Sequence, residues 1–165
     1  MKKALLIVDY QFDFVNPKGS LYVKNAEKLA DYINQLINSF KADNQFVFAS
    51  KDWHPENHYS FEKWGKHCQK NTNGAELCIP TKDIDFTILK GQNQDAESYS
   101  AFFDEKGNSN GLDEKMKELE IAEIIVVGVA TDICVAKTVG DAIKLGYKTT
   151  LDLQGCAGFS DKITF

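Results

Sequence analysis

All three histidines of the chain lie in one short segment that also contains an acidic residue. His54 and His58 occur in KDWHPENHYSF (residues 51–61), His67 follows in WGKHC, and Asp52 stands two places before the first histidine. Carboxylate oxygen and imidazole nitrogen are ligands that suit Zn²⁺, Fe²⁺ or Mn²⁺. Because such spacings are common by chance, two interpretations stay open here: one divalent metal site, or polar loop residues without a shared function.

A second candidate for chemistry is Cys134, in the segment ATDIC that follows the apolar run EIIVVGV. The cysteine lies where a predicted strand turns into a predicted helix, which Thr131 or Asp132 could cap. Free N–H groups and the helix dipole at that point favour a thiolate, and the same N–H groups could stabilise an oxyanion. The alternative is that Cys134 is simply a small buried apolar side chain, as free cysteines often are.

Two more polar residues, Asp9 and Lys90, end predicted strands and could serve Cys134. Asp9 follows the apolar run at residues 4–8, so burial should raise its pKa unless a cation such as Lys90 lies nearby. A carboxylate of this kind can act as general base toward a thiol. Taken singly, each residue is more simply a structural ion pair or a solvated strand end. Their shared position at strand ends favours a catalytic role.

The elements that must position these residues alternate along the chain. Continuous apolar runs predict five strands, at residues 4–8, 45–49, 86–89, 123–129 and 147–153. Helical spacing of apolar residues predicts helices over 26–40, 111–119 and 131–145. Residues 52–84 follow neither pattern, and a long irregular segment in a compact domain is usually functional.

This alternation predicts an α/β fold, a three-layer sandwich with a mainly parallel central sheet and helices on both faces. Ligands of such sheets bind beyond the carboxyl ends of the strands. The predicted strands lead to Asp9, to Asp52 and His54, to Lys90 and to Cys134. Four segments that are distant in sequence should therefore meet at one edge of the sheet.

Length and composition limit the class of protein. The 165 residues suggest one domain, 1–165, and the net charge of −5 argues against a nucleic-acid partner. No apolar run approaches the roughly 20 residues that a membrane span needs, and the first run is too short for a signal peptide, so we expect a cytoplasmic protein. The four cysteines show no zinc-ribbon or disulfide spacing. A homo-oligomer stays open.

Six segments together resemble the isochorismatase-like cysteine hydrolases, and within them the nicotinamidases. They are LLIVDYQFDF, KDWHPENHYSF, WGKHC, NGAEL, LKGQNQDAESYSAFF and GVATDICVAKTVGDAIKLGY, and they extend over residues 4 to about 160. The D-x-H…H…H pattern is what separates nicotinamidases from relatives that share only the Asp-Lys-Cys triad.

The resemblance implies roles for particular residues of this chain. It implies a catalytic triad of Asp9, Lys90 and Cys134, and an oxyanion hole from the N–H groups of Ala130 and Cys134. The implied metal ligands lie in a loop of about residues 51–80 and are Asp52, His54, His58 and His67. The implied ring pocket is lined by Phe14, Trp64 and Tyr99. It also implies a cis peptide bond between Val129 and Ala130.

The activity that the resemblance implies is hydrolysis of nicotinamide to nicotinate and ammonia through a cysteine thioester, with pyrazinamide as a further substrate. It also implies one divalent metal, with zinc expected and iron or manganese as alternatives. Two other functions stay open: another amidase of the same family, or a non-catalytic metal- or ligand-binding member.

The chain departs from the family pattern at Phe12, where Asn is usual, and at Gly65, where Pro is usual. Relatives continue past a segment like CAGFSD, whereas this chain stops at Phe165, so the last helix and strand are expected to be absent.

Overall fold

Five strands form one sheet at the centre of the protein. The computed structural model describes every residue from Met1 to Phe165. The strands are β1 (Lys2–Val8), β2 (Phe46–Asp52), β3 (Phe86–Lys90), β4 (Ile121–Val129) and β5 (Lys148–Ala157). Their order across the sheet is β3-β2-β1-β4-β5, and each neighbouring pair is parallel. All five carboxyl ends therefore meet at one edge, as the sequence predicted.

Five helices accompany the sheet: α1 (Phe12–Val15), α2 (Ala30–Ala42), α3 (Phe61–Trp64), α4 (Leu112–Glu118) and α5 (Ala136–Lys144). The predicted helix over 26–40 begins as a 3₁₀ turn, Ala26–Leu29, before it becomes α2. The predicted helix over 131–145 begins as a π turn, Thr131–Val135, before it becomes α5. Residues 52–84 are largely irregular, apart from α3 and a 3₁₀ turn at Asn73–Ala75. None of the helices is long and apolar enough to cross a membrane.

Alternate residues of β1 are buried on opposite faces of the sheet. Leu5 and Ile7 belong to a core cluster that includes Ile33 of α2. Leu6 belongs to a second cluster, on the other face, that includes Met116 of α4 and residues of α5. A strand that is covered on both faces has apolar residues at every position. This is why the sequence of β1 lacks the alternation of apolar and polar residues that a half-buried strand shows. The predicted three-layer α/β class is thus confirmed.

Two strands, β2 and β5, run several residues further at their carboxyl ends than their apolar runs predicted. β2 continues through polar residues to Asp52, because β3 pairs with it in register as far as Asp52 opposite Lys90. β5 continues to Ala157, which lies opposite Val129 of β4. In both cases the partner strand, and not the hydropathy of the strand itself, decides where pairing stops.

Candidate active site

Asp9 is a wholly buried carboxylate directly after β1. Its Oδ1 accepts the hydroxyl of Ser50 at 2.8 Å, and its Oδ2 lies 2.8 Å from the Lys90 ammonium. Burial raises the pKa of Asp9, Lys90 lowers it and Asp52 raises it again, with a result of about 6. The carboxylate is therefore ionised at neutral pH, yet it accepts a proton far more readily than an exposed aspartate.

Lys90 is a wholly buried cation at the end of β3. Besides Asp9, its Nζ lies 3.0 Å from Asp52 Oδ1, and it donates to the carbonyls of Ser98 and Tyr99. Burial lowers the pKa of Lys90, but Asp52 and Asp9 outweigh that effect, so its pKa lies well above the usual value. The residue is thus a permanent charge shared by two carboxylates, not a solvated strand end.

Cys134 lies in the π turn between β4 and α5, with 9% of its surface exposed. Its Sγ is 3.6 Å from Lys90 Nζ, the ammonium that also lies 2.8 Å from the Asp9 carboxylate. Burial raises the pKa of the Cys134 thiol well above its usual value, although Lys90 opposes this. This direction runs against the expectation of a thiolate favoured by the helix terminus, and it favours a thiol that a base must deprotonate.

The expected side-chain cap of this helix is also absent. Neither Thr131 nor Asp132 caps the turn; the amides of Ile133 and Val135 donate instead to the carbonyl of Ala130. The Asp132 carboxylate is used elsewhere, because it accepts the backbone N–H of Phe159 at 3.0 Å. The cap was predicted from residue types alone, whereas in the structure the Asp132 carboxylate is hydrogen-bonded to Phe159, which is distant in sequence.

The peptide bond between Val129 and Ala130 is cis, as the family resemblance implied. The amide of Ala130 donates to no backbone carbonyl of the chain. It lies in the turn that carries Cys134, and both residues line the same pocket. This amide is available to a ligand beside the thiol.

Asp52, His54 and His67 bring their donor atoms together at the same edge. One carboxylate oxygen and two imidazole nitrogens lie within 4.8 Å of one another, and all three residues are buried. His54 Nδ1 donates to the carbonyl of Gly91 at 2.8 Å, and His67 Nδ1 donates to that of Gly65 at 2.7 Å. These bonds leave each Nε2 with its lone pair free, as metal ligation requires.

His54 Nε2 is a buried nitrogen with no hydrogen-bond partner, 3.5 Å from Asp52 Oδ2. A buried orphan of this kind is costly unless something binds it. Burial lowers the pKa of His54 but Asp52 outweighs it, so the pKa is raised and a proton competes for the same lone pair. Burial lowers the pKa of His67. The donor set, oxygen and nitrogen with a free nitrogen lone pair, fits a divalent transition metal.

His58, the fourth expected ligand, lies beside this group but is hydrogen-bonded through both ring nitrogens. Its ring stacks on that of His54, with centroids 4.0 Å apart. Its Nδ1 pairs with Ser60, and its Nε2 lies 2.9 Å from the carbonyl of Ala96. The structure therefore places His58 at the site, but neither of its ring nitrogens has a lone pair free for a metal. Its role as a ligand stays a prediction.

Glu97 is a residue of the site that sequence reasoning missed. It is buried, lines the same pocket as Cys134, and forms a second group of close donor atoms with His54 and His58. Burial and then Asp52 raise the pKa of Glu97 to about 6. No periodicity marks residue 97, because the loop after β3 reaches the site by a path that only tertiary contacts define.

A largely apolar pocket is lined both by the thiol and by members of the group of Asp52, His54 and His67, called here the metal-type group. The three aromatic residues predicted for a ring pocket, Phe14, Trp64 and Tyr99, all line it, and so do Asp52, His67 and Cys134. The indole N–H of Trp64 donates to the Tyr99 hydroxyl at 3.2 Å. The arrangement can hold a flat apolar ring while presenting a thiol at one end and nitrogen and oxygen donors at the other.

The α/β sheet brings the buried residues Asp9, Lys90 and Cys134 together at its carboxyl edge, the arrangement that the resemblance to the cysteine hydrolases implied. The family model for the isochorismatase domain matches residues 3–163 of this chain. The chain belongs to the isochorismatase family, as the motifs predicted.

Relatives within the family include proteins named nicotinamidase or pyrazinamidase. The nicotinamidase of Escherichia coli (strain K12) is 39% identical over 178 residues, covering 94% of this chain and 83% of the relative. The crystal structure of PnC1 from L. infantum in complex with nicotinate has a TM-score of 0.91 at 39% identity, covering 97% and 83% of the two chains. The zinc complex of Pyrococcus horikoshii pyrazinamidase has a TM-score of 0.90 at 34% identity, covering 98% and 89%. The expected resemblance to nicotinamidases is confirmed.

Proposed function

We propose that this protein hydrolyses nicotinamide to nicotinate and ammonia, and that it accepts pyrazinamide as well. The observation that carries the proposal is the buried contact of Cys134 with Lys90, whose ammonium also pairs with Asp9, beside an apolar pocket lined by aromatic residues. The names of its relatives and the nicotinate held by one of them support this choice of substrate.

In the proposed reaction Asp9 acts as the general base. Its pKa of about 6 leaves it ionised at neutral pH, so it accepts the thiol proton as the sulfur attacks the carboxamide carbon. The proton then passes from Asp9 to the departing nitrogen, which leaves as ammonia and yields a thioester on Cys134. Water, deprotonated by the same carboxylate, hydrolyses the thioester to nicotinate and restores the thiol.

Lys90 and two backbone amides would handle the negative charge that develops in this reaction. The Lys90 ammonium, 3.6 Å from Sγ, stabilises the transient thiolate. The N–H groups of Ala130 and Cys134 form the oxyanion hole. Such preorganised donors and the orientation of the ring could each contribute several kcal/mol, about 3 or more.

The proposed metal ligands are Asp52, His54 and His67, with His58 as a fourth donor if it gives up its bond to Ala96. When bound, a divalent cation supplies a Lewis-acidic partner for the pyridine nitrogen. Zinc is our first choice because of the donor set and the zinc-bound relative, with iron or manganese as alternatives. The chain's own aromatic residues, Phe14, Trp64 and Tyr99, would hold the ring.

The direct test is ammonia release from nicotinamide by the metal-loaded protein and two cysteine variants. Cys134→Ala should lose at least roughly 10³-fold in kcat, because the nucleophile is gone, while nicotinate still binds. Cys156→Ala, a half-buried thiol outside the pocket, is the matched control and should keep full activity. Equal rates for wild type and Cys134→Ala would refute the proposed nucleophile.

A panel of amides separates nicotinamide hydrolysis from a related amidase activity. Higher kcat/KM on a non-aromatic amide than on nicotinamide would favour the alternative family activity. Metal binding without turnover, and without any adduct on Cys134, would favour a binding protein.

We further propose that residues 1–165 act as one domain in the cytoplasm, with a small-molecule substrate as the partner.

A further inference from the structure

An aromatic pair, Trp64 and Phe159, stands at the mouth of the pocket. Their ring centroids are 6.2 Å apart and the rings are nearly parallel, with an interplanar angle of 21°. Both residues line the pocket, and Phe159 is also 46% exposed, so the pair lies between the pocket and solvent. The reaction proposed above makes no use of Phe159.

The Trp64 side of the pair is attached to the segment that carries the metal-type ligands. Trp64 ends α3, and its indole N–H is held by the Tyr99 hydroxyl. The next residue, Gly65, accepts the Nδ1–H of His67 through its carbonyl. The position of the indole is thereby tied to that of a proposed ligand.

The Phe159 side is attached to the turn that carries the thiol. The backbone N–H of Phe159 donates to Asp132, two residues before Cys134. A Cβ at Gly158 would lie 2.7 Å from that same carboxylate oxygen, so a glycine there lets the segment approach the turn closely. The two rings therefore meet across the pocket mouth from the two halves of the site.

We propose that Phe159 is a specificity-determining residue, and that its stack with Trp64 forms a gate over the ring of a bound heteroaromatic amide. This inference rests on the proposed function and deepens it. A closed gate leaves no room for a substituent on the ring edge that faces the mouth. Without the Phe159 ring, that edge opens to solvent and larger rings enter.

The first test compares nicotinamide with quinoline-3-carboxamide, whose second fused ring needs more space. Phe159→Ala should raise KM for nicotinamide and increase the kcat/KM of the larger amide relative to nicotinamide, each by roughly tenfold, with kcat for nicotinamide little changed. Phe159→Leu should fall between. Phe165→Ala, which removes another exposed phenylalanine of the same terminal segment but does not line the pocket, should match wild type.

The second test does not depend on turnover. Alkylation of Cys134 by iodoacetamide and by the bulkier N-phenylmaleimide is followed on the Cys134 peptide by mass spectrometry. Phe159→Ala should accelerate the bulky reagent more than the small one, and Phe165→Ala should not.

If wild type fails to hydrolyse nicotinamide, the proposed function is refuted. The ratio of the alkylation rates by N-phenylmaleimide and iodoacetamide still decides whether the gate exists. If wild type is active but Phe159→Ala matches Phe165→Ala in both tests, the gate is overturned and the function stands.

Discussion

The ammonium of Lys90 lies 2.8 Å from the carboxylate of Asp9, and both side chains are wholly buried. The same ammonium lies 3.0 Å from Asp52, the carboxylate of the metal-type group. One cation thus joins the proposed acid–base residue to the proposed metal site. This contact requires the ends of three strands, β1, β2 and β3, to be adjacent, and the sheet order makes them so.

Replacing Lys90 should cost both stability and activity. In Lys90→Met two buried carboxylates face each other without a cation, so we expect the free energy of unfolding to fall by about 3–5 kcal/mol and hydrolysis to be lost. Urea unfolding monitored by circular dichroism measures the first effect. Lys2→Met, which breaks an exposed pair with Glu120, should change stability by less than about 1 kcal/mol. Equal effects of the two changes would contradict the inferred role of the buried pair.

Activity should fall on the acid side of neutrality. Asp9 has a pKa of about 6, so below that pH it is mostly the neutral acid, which is too weak a base to accept the thiol proton. We expect kcat/KM to be half-maximal near pH 6, to level off about one pH unit above it, and to drop roughly tenfold per unit on the acid limb. The profile is recorded with metal content checked at each pH, since protons also compete for His54. An acid limb near pH 4 would argue that Asp9 is not the base.

The three histidines should contribute unequally to metal binding. His54→Ala and His67→Ala each remove a free, oriented lone pair, so we expect zinc affinity to fall more than about 100-fold. His58→Ala removes a ring that is already hydrogen-bonded, and a loss nearer tenfold, typical of an outer-shell residue, is expected. Calorimetric titration of the metal-free variants with Zn²⁺ measures this. Equal losses for all three variants would show that His58 is a full ligand.

Gly91 should be required for the orientation of His54. Its φ is +66°, and a Cβ would lie 2.4 Å from His54 Cε1, so Gly91→Ala must displace the imidazole. We expect a 10- to 100-fold loss of zinc affinity, on the order of other outer-shell changes. Gly107→Ala is a matched control, because Gly107 also has a positive φ, +83°, but has open space around it. A similar loss in both variants would mean that backbone strain alone is responsible.

The sequence predicted the parts of the fold that depend on burial and chain direction. A strand covered on both faces must be apolar throughout, so β1 and β4 were visible as continuous runs, and alternating helices made the sheet parallel. Parallel strands put their carboxyl ends together, which was enough to predict that Asp9, Asp52 and Lys90 meet. The family motifs then identified the aromatic residues of the pocket, whose positions no periodicity could predict.

Only the tertiary structure decided which partner each polar atom has. Asp132 was expected to cap a helix and instead holds Phe159, and His58 was expected to present a lone pair and instead donates to Ala96. Glu97 enters the site on a loop whose course is not encoded in local pattern. The physical reason is the same in each case: hydropathy and spacing report on burial along one segment, whereas hydrogen bonds and pKa values depend on atoms that come from elsewhere in the chain.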